Sequence, residues 1–348
     1  MHDNNDSAIT KRPYFARDPP AEPPTELSLP QTMIKVRLTS LLLIACMLPF
    51  GCGSERATSS VTVLDIRWEN RTMEFDLPAA ISILEGTDEE LPLKTWMARI
   101  DLSSPEIDIS VTAADDEDGR MSVGALANES DACLAINGGF YLENDDSFEP
   151  VGLLISKGRF LQFATPGIYW DDKRYDVNRS AIGFYDDNRA EIGWVSSRAD
   201  SVHLWPTPVP NEPGRPGSLP DSISSIPWMV TDAVSGGPAL LKNGSTSVTS
   251  YQEAFFGPAG TEYHPRTAAG ITKDGDLLLL VIDGRQRASR GVSFSELAGI
   301  LKSLGAVEAL NLDGGGSSTL VVNGTLLNRP AGASFQREVV SALTVRCQ

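Results

Sequence analysis

The stretch A-L-N-L-D-G-G-G-S-S at residues 309–318 runs an apolar strand straight into a glycine turn, and the organisation of the chain can be read outward from it. Three glycines let a backbone approach a ligand closely and present N–H groups, Ser317 and Ser318 add hydroxyls, and Asp313 brings a carboxylate to the strand end. Such a loop suits an anionic or polyhydroxyl ligand. It also suits a tight turn that needs glycine only for its backbone angles. No Lys follows, so it is not a phosphate-binding P-loop. Upstream, Ser293 and Glu296 form a capping box for a helix whose apolar face is Phe294, Leu297, Ile300, Leu301 and Leu304, ended by Gly305. Downstream, T-L-V-V and T-L-L-N are hinged at Asn323-Gly324, which fits a type I′ hairpin.

The same order occurs earlier. A helical start at Ser122, the run A-C-L-A-I-N-G-G-F-Y at 132–141 and a strand pair hinged at Lys157-Gly158 read either as a chance similarity of short strand–turn–strand segments or as a second copy, in which Asn137 corresponds to Asp313. R-S-A-I-G-F-Y-D-D-N at 179–188 matches R-T-A-A-G-I-T-K-D-G at 266–275, so Arg179 corresponds to Arg266. Two related lobes would place the N-G-G and D-G-G-G loops on opposite walls of one cleft, a usual place for a ligand. Alternating apolar strands with few helices and no regular βαβ order predict an α+β fold with mixed or antiparallel sheets. The proline-rich stretch between Trp205 and Trp228 cannot supply a central strand and is expected as a long surface loop or lid.

The 348 residues carry 29 Lys+Arg against 46 Asp+Glu, a formal net charge of −17 that argues against a nucleic-acid partner. Residues 1–51 are balanced, five acidic against five basic, so the whole excess belongs to residues 52–348. Arg266, Arg285, Arg287 and Arg290 nonetheless concentrate basic charge in one short stretch, which predicts a locally positive cleft on an acidic surface. With four cysteines, no C-x-x-C pair and only three histidines, a Cys or His metal site is not expected. Carboxylates and loop carbonyls could hold Ca²⁺, although no EF-hand spacing is present.

Residues 1–32 are polar and Pro-rich, and are expected to be a disordered arm or a leader upstream of a true start at Met33. Residues 33–52 have the shape of a bacterial export signal: Lys35 and Arg37, an apolar run too short to span a bilayer comfortably, then Gly51-Cys52, which resembles a lipoprotein cleavage site. Ordinary signal cleavage is the alternative. Either way the expectation is an exported protein of the periplasm or cell surface, touching the membrane only through a lipid anchor on Cys52. Residues 53–99 are expected to be N-terminal strands and 100–348 the main domain. Cys133 and Cys347 are then the remaining thiols, free to form a disulfide or to be buried separately.

Two further runs carry chemistry. In V-I-D-G-R-Q-R-A-S-R-G at 281–291 an apolar strand delivers Asp283 and Arg285 at its end, and in H-P-R-T-A at 264–268 Arg266 leads into an apolar strand. An Arg so placed either pairs with a carboxylate such as Asp283 or binds an anion bidentately. His264 is a proton carrier or, as we favour, a loop residue. Taken with A-I-N-G-G-F, G-L-L-I-S-K-G at 152–158 and S-G-G-P-A-L-L-K-N-G at 235–244, these motifs resemble the phosphodiester glycosidase domain family, of the uncovering-enzyme type, which has many exported bacterial members. The resemblance spans roughly residues 100–347. It implies hydrolysis of the bond between a sugar anomeric carbon and a phosphodiester, with a phosphorylated saccharide or envelope polysaccharide as partner. Phosphate is already a good leaving group, so such an enzyme needs less general-acid help and more anion recognition. The expected catalytic residues are Asp313 and Asp283, as nucleophile, base or support for oxocarbenium-like charge. The expected substrate contacts are Arg266, Arg285, Gly314, Gly315, Gly316 and Ser317, with Asn137, Gly138 and Gly139 from the opposite loop. A non-catalytic, envelope glycan-binding lipoprotein using the same cleft is the alternative, and the presence of Asp283, Arg266 and Asp313 together favours catalysis.

Overall fold

Leu277–Ile282 is six consecutive apolar residues, and the structure shows why. In this computed structural model, which describes residues 64–144, 147–219 and 224–348, the strand is buried on both faces. Side chains alternate across a strand, so Leu277, Leu279 and Val281 enter the central core while Leu278, Leu280 and Ile282 lie under a helix. That helix is Phe294–Ser303, with Ser293 and Glu296 forming the expected capping box and Phe294, Leu297 and Leu301 facing the sheet. The expected leader (residues 1–32), the expected export signal (33–52) and its Cys52 lie outside the described residues.

Three larger sheets surround the central core, and every strand pair among the described residues is antiparallel. The eight-stranded sheet runs from Arg67–Asn70 through Ile81–Asp88, Leu93–Ile100, Leu277–Ile282, Arg266–Thr272, Ala306–Asn311 and Ala239–Lys242 to Ser245–Thr246. The seven-stranded sheet centres on Asp232–Ser235, Ser180–Phe184 and Ala190–Arg198, and the five-stranded sheet on Leu134–Asn137 and Ser341–Cys347. Each contributes to one core: Ile83 and Leu310 from the first, Ile182 and Val234 from the second, Ile136 and Leu343 from the third. A second helix, Val123–Glu129, N-capped by Ser122, covers the outer face of the five-stranded sheet. No helix among the described residues is long and apolar enough to cross a membrane.

The internal repeat is threefold. Asn137, Ser235 and Asn311 each end a strand, and each faces an alanine of a neighbouring strand: Ala342, Ala181 and Ala268 respectively. The next residue in each case donates its N–H to the carbonyl just before that alanine: Gly138 to Ser341 (2.8 Å), Gly236 to Ser180 (2.9 Å) and Leu312 to Thr267 (2.8 Å). Arg179 and Arg266 are equivalent, as the sequence predicts. Their Nε atoms donate to Glu253 O and Val292 O, and their guanidinium groups lie 4.4 Å and 4.0 Å over the rings of Phe255 and Phe294, each two residues further on. Asn137, however, is equivalent to Asn311 rather than to Asp313. Counting from those anchors, the counterparts of Asp313 are Gly139 and Gly237. The expected two lobes do not show in the chain contacts, which group the described residues as one unit.

Cys133 and Cys347 form a disulfide, joining the chain next to Leu134–Asn137 with the end of Ser341–Cys347. The proline-rich stretch lies against the body at Asn211, buried, whose side chain donates to Asp176 O and Gln252 O at 2.8 and 2.9 Å.

Candidate active site

The three strand ends meet in a ring. Asn137 Nδ2 donates to Asp313 O at 2.8 Å, Asn311 Nδ2 donates to Gly237 O at 2.9 Å, and a Cβ on Gly139 would lie 2.3 Å from Ser235 O. The glycines are required by this close backbone approach. Thus the N-G-G and D-G-G-G loops do not stand on opposite walls. They are bonded to each other, with Asp313 N donating to Gly138 O at 3.1 Å. Asn137 is only 1% exposed, and its Oδ1 accepts from Thr267 Oγ1 and Thr319 N. Its amide therefore bonds the Asp313 main chain on one side and Thr267 and Thr319 on the other, as part of the frame.

At the one position of the ring where the repeat carries a carboxylate, the turn after Asp313 folds tightly. Gly314 N donates to Asp313 Oδ1 at 2.9 Å, and Gly315, at φ +64°, donates its N–H to Pro265 O at 3.0 Å. These two N–H groups, expected to meet a ligand, are therefore used within the protein, one inside the turn and one on the Pro265 carbonyl. The Ser317 hydroxyl reaches both the Asp313 carboxylate and the Tyr141 hydroxyl, and Arg337 hydrogen-bonds Tyr141 and lies near enough to Asp313 to act on its charge. Gly316 makes room for this arginine, because a Cβ there would sit 2.5 Å from the Arg337 guanidinium. Burial pushes the Asp313 carboxyl up to about 6, against the opposing pull of Ser317, the Gly314 N–H and Arg337. Burial, and then the Asp313 charge, also raises Tyr141.

A second arginine also reaches this turn: Arg285 Nη1 approaches within 3.5 Å of where a Gly315 Cβ would be. Arg285 is exposed and has φ +56°, an uncommon conformation for a residue with a side chain. Arg266 lies beneath it, buried, with Nε and Nη2 donating to Val292 O and Glu262 O. Burial, then the charge of Arg285, pulls the Arg266 guanidinium down to about 9. Arg290 pairs with Glu296 at 2.8 Å and stacks on Tyr263, so it braces the helix start.

Asp283 has a different occupation from Asp313. It is 3% exposed, and its Oδ1 accepts from Asn328 Nδ2 at 3.1 Å and Arg329 N at 2.9 Å. Asn328 also donates to Ser318 O, which ties the Asp283 turn to the residues following the glycine turn. Burial raises this carboxyl while the Asn328 and Arg329 N–H groups oppose the rise. No group of three or more His, Cys, Asp or Glu side chains that could hold a metal ion occurs among the described residues.

The structure therefore brings together Asp313, Gly314, Gly315, Gly316, Ser317 and Arg285, keeps Asn137, Gly138, Gly139 and Arg266 as the frame around them, and adds Tyr141 and Arg337. Tyr141 follows N-G-G-F and was open to sequence reasoning; Arg337 stands in no motif.

A half-buried carboxylate in a glycine turn that two guanidinium groups approach, Arg337 at Gly316 and Arg285 at Gly315, on a β-rich frame, defines a class of site suited to a substrate that is both anionic and polyhydroxyl. Residues 130–346 match the phosphodiester glycosidase family model, and the chain belongs to that family. It is 47% identical over 213 residues to mouse N-acetylglucosamine-1-phosphodiester alpha-N-acetylglucosaminidase, covering 61% of this chain and 36% of that protein. The cattle protein of the same name is 28% identical over 221 residues, covering 61% of this chain and 35% of its own length. The chain thus spans about a third of the length of these curated relatives. In fold it is similar to the catalytic domain of the zebrafish protein of that name, with a TM-score of 0.55 at 21% identity over 81% of this chain and 88% of that one. A hypothetical protein from Synechocystis is also similar, with a TM-score of 0.54 at 19% identity over 77% of this chain and 62% of that one.

Proposed function

We propose that the chain hydrolyses a sugar-1-phosphodiester of the cell envelope or of exopolysaccharide, releasing the sugar and leaving a phosphomonoester on the other partner. The observation that carries this reading is the Asp313 carboxyl inside a glycine turn, with Arg337 near enough to act on its charge and Arg285 reaching the same turn at Gly315. In the reaction the bond from the anomeric carbon to the phosphate oxygen breaks, and water supplies the hydroxyl to that carbon. Negative charge grows on the departing phosphate, where the two guanidinium groups stabilise it by charge-assisted hydrogen bonds. Positive charge grows at the anomeric carbon, where the Asp313 carboxylate supports it. Ser317, itself bonded to Tyr141, and the Gly314 N–H hold that carboxylate in place. Asp283, Asn137 and Arg266 act by fixing the turns that carry these groups. An exported location, with a lipid anchor on Cys52 keeping the domain at the envelope, fits this substrate class.

The test is turnover. Purified protein from Ser54 onward is given a panel of sugar-1-phosphodiesters, beginning with N-acetylglucosamine, the sugar in the names of its relatives, in ¹⁸O-labelled water. The expected result is free sugar carrying ¹⁸O at the anomeric carbon and unlabelled phosphomonoester; label in the phosphate, or no turnover across the panel, overturns the reading. The same assay with a chelator decides whether Ca²⁺ is needed, and mass spectrometry of the mature N-terminus decides whether Cys52 is lipidated.

A further inference from the structure

His264 makes none of the substrate contacts assigned above, yet it touches an arginine that does. Its Nδ1 lies 3.3 Å from Nη2 of Arg285, and its Nε2 lies 3.3 Å from a carboxylate oxygen of Glu262. A guanidinium only donates hydrogen bonds. Nδ1 must therefore be the acceptor and Nε2–H the donor to Glu262, which selects one neutral tautomer of the ring.

The backbone on both sides of this contact is fixed. A Cβ on Gly284 would lie 2.5 Å from Pro265 N, and one on Gly291 would lie 2.3 Å from His264 O. His264 and Val292 also exchange backbone hydrogen bonds of 3.3 and 3.0 Å. The histidine is thus clamped between two glycines, while Arg285 leaves its turn at φ +56° and reaches the glycine turn at Gly315.

We propose that His264 is a positioning residue: neutral, it holds the Arg285 guanidinium against the glycine turn as an anion contact, and protonated, it releases it. The charged groups facing the ring are Glu262 from its own loop, Arg266 from the strand it leads into, and Arg285 from the turn after Leu277–Ile282. Burial and the two arginines hold the imidazole below its usual range, and Glu262 only partly opposes them, so the neutral form prevails at neutral pH. A proton on Nδ1 turns an acceptor into a donor facing a donor, and sets two cations against each other. The inference rests on the reading of Arg285 as an anion contact and does not depend on turnover.

The experiment is calorimetric binding of inorganic sulfate, whose charge stays constant between about pH 5 and pH 8, across the range in which a histidine titrates. It is done in an Asp313→Asn background, which removes the carboxyl of the glycine turn that is raised to about 6. Sulfate affinity is expected to fall about fivefold or more as pH drops across this range. His264→Gln, whose amide oxygen still accepts from Arg285, should bind with little pH dependence, near the high-pH value of its parent. His264→Ala should bind about tenfold more weakly at high pH, the effect of losing one hydrogen bond to a charged group. Affinity that rises as pH falls and becomes flat in His264→Gln would make His264 a direct cation for the anion and overturn the proposal. So would His264→Ala binding like its parent. Absence of sulfate binding in the parent overturns the anion role of Arg285 together with this inference, whereas binding that ignores His264 overturns this inference alone.

Discussion

The Asp313 corner and the Gly237 corner are two copies of one piece of architecture. Each has an arginine stacked on a phenylalanine at the start of a strand, and a neighbouring strand that runs into a turn capped by an asparagine side chain. The difference is where the carboxylate sits. In the first corner it belongs to the turn itself, half-buried, with Tyr141, Ser317 and Arg337 around it. In the second, the turn position is Gly237, at φ +120°, and a Cβ there would lie 2.6 Å from Glu253 Oε2 and from the Phe255 ring. Glu253 is fully buried, and its carboxylate accepts from Ser180 N, Ser180 Oγ, Trp194 Nε1, Ala239 N and Thr249 Oγ1. Such a group is saturated with donors, while the Asp313 carboxylate is held by one backbone N–H and one hydroxyl. The repeat supplies the frame; in the proposed function one copy carries the chemistry, while another locks the fold.

Exchanging losses between the corners tests that division. The largest effect on folding is expected from Glu253→Ala, which leaves buried donors unsatisfied and removes the charge that opposes the burial of Arg179. By analogy with breaking a buried ion pair, the cost is about 3–5 kcal/mol. Chemical denaturation should report it as a lowered midpoint, with activity per folded molecule unchanged. Next comes Arg337→Ala, expected to lower kcat/KM by roughly 10–100-fold, the weight of a charge-assisted hydrogen bond of about 1.5–3 kcal/mol, while the denaturation midpoint stays put. If Glu253→Ala lost its activity while keeping its stability, or Arg337→Ala did the reverse, the comparison would fail.

The smallest effect is the dependence on pH. Asp313 has a folded value of about 6, above the ordinary value of about 3.9 that it recovers when unfolded. The native state therefore binds this proton more tightly. The stability it contributes is fully present below about pH 4 and is lost as pH rises through about 6. Asp313→Asn should remove this part of the stability profile. Activity should move the opposite way, with kcat/KM rising with pH up to about 6, because the carboxylate form is the one that supports positive charge. A kcat/KM that falls over the same interval would assign Asp313 the role of acid.

Much of this frame was legible because its signals are local. The capping box of Ser293 and Glu296, the hairpin at Asn323-Gly324 and the apolar strand Leu277–Ile282 that ends at Asp283 each depend on residues a few positions apart. The equivalence of Arg179 and Arg266 was legible for the same reason, since the two hairpins share length and register. The pairing of Asn137 with Asp313 misled, because matching the strings on their glycines ignores the two extra residues, Leu312 and Asp313, that separate Asn311 from its glycines. Only hydrogen-bond equivalence fixes that register. Arg337 and Glu253 were out of reach for a different reason: their partners Tyr141, Trp194 and Ser180 come from distant segments, and no spacing within one segment encodes such a contact.

The central claim is that Asp313 is the reacting carboxylate and Asp283 a brace. Single-turnover release of sugar from a sugar-1-phosphodiester, measured side by side for Asp313→Asn and Asp283→Asn with a denaturation curve for each, tests it most directly. The account predicts that Asp313→Asn slows the chemical step by about 10²–10⁴-fold with the fold intact, and that Asp283→Asn lowers stability while the folded fraction still turns over. A folded Asp283→Asn protein without chemistry, beside an Asp313→Asn protein that retains it, would contradict the account.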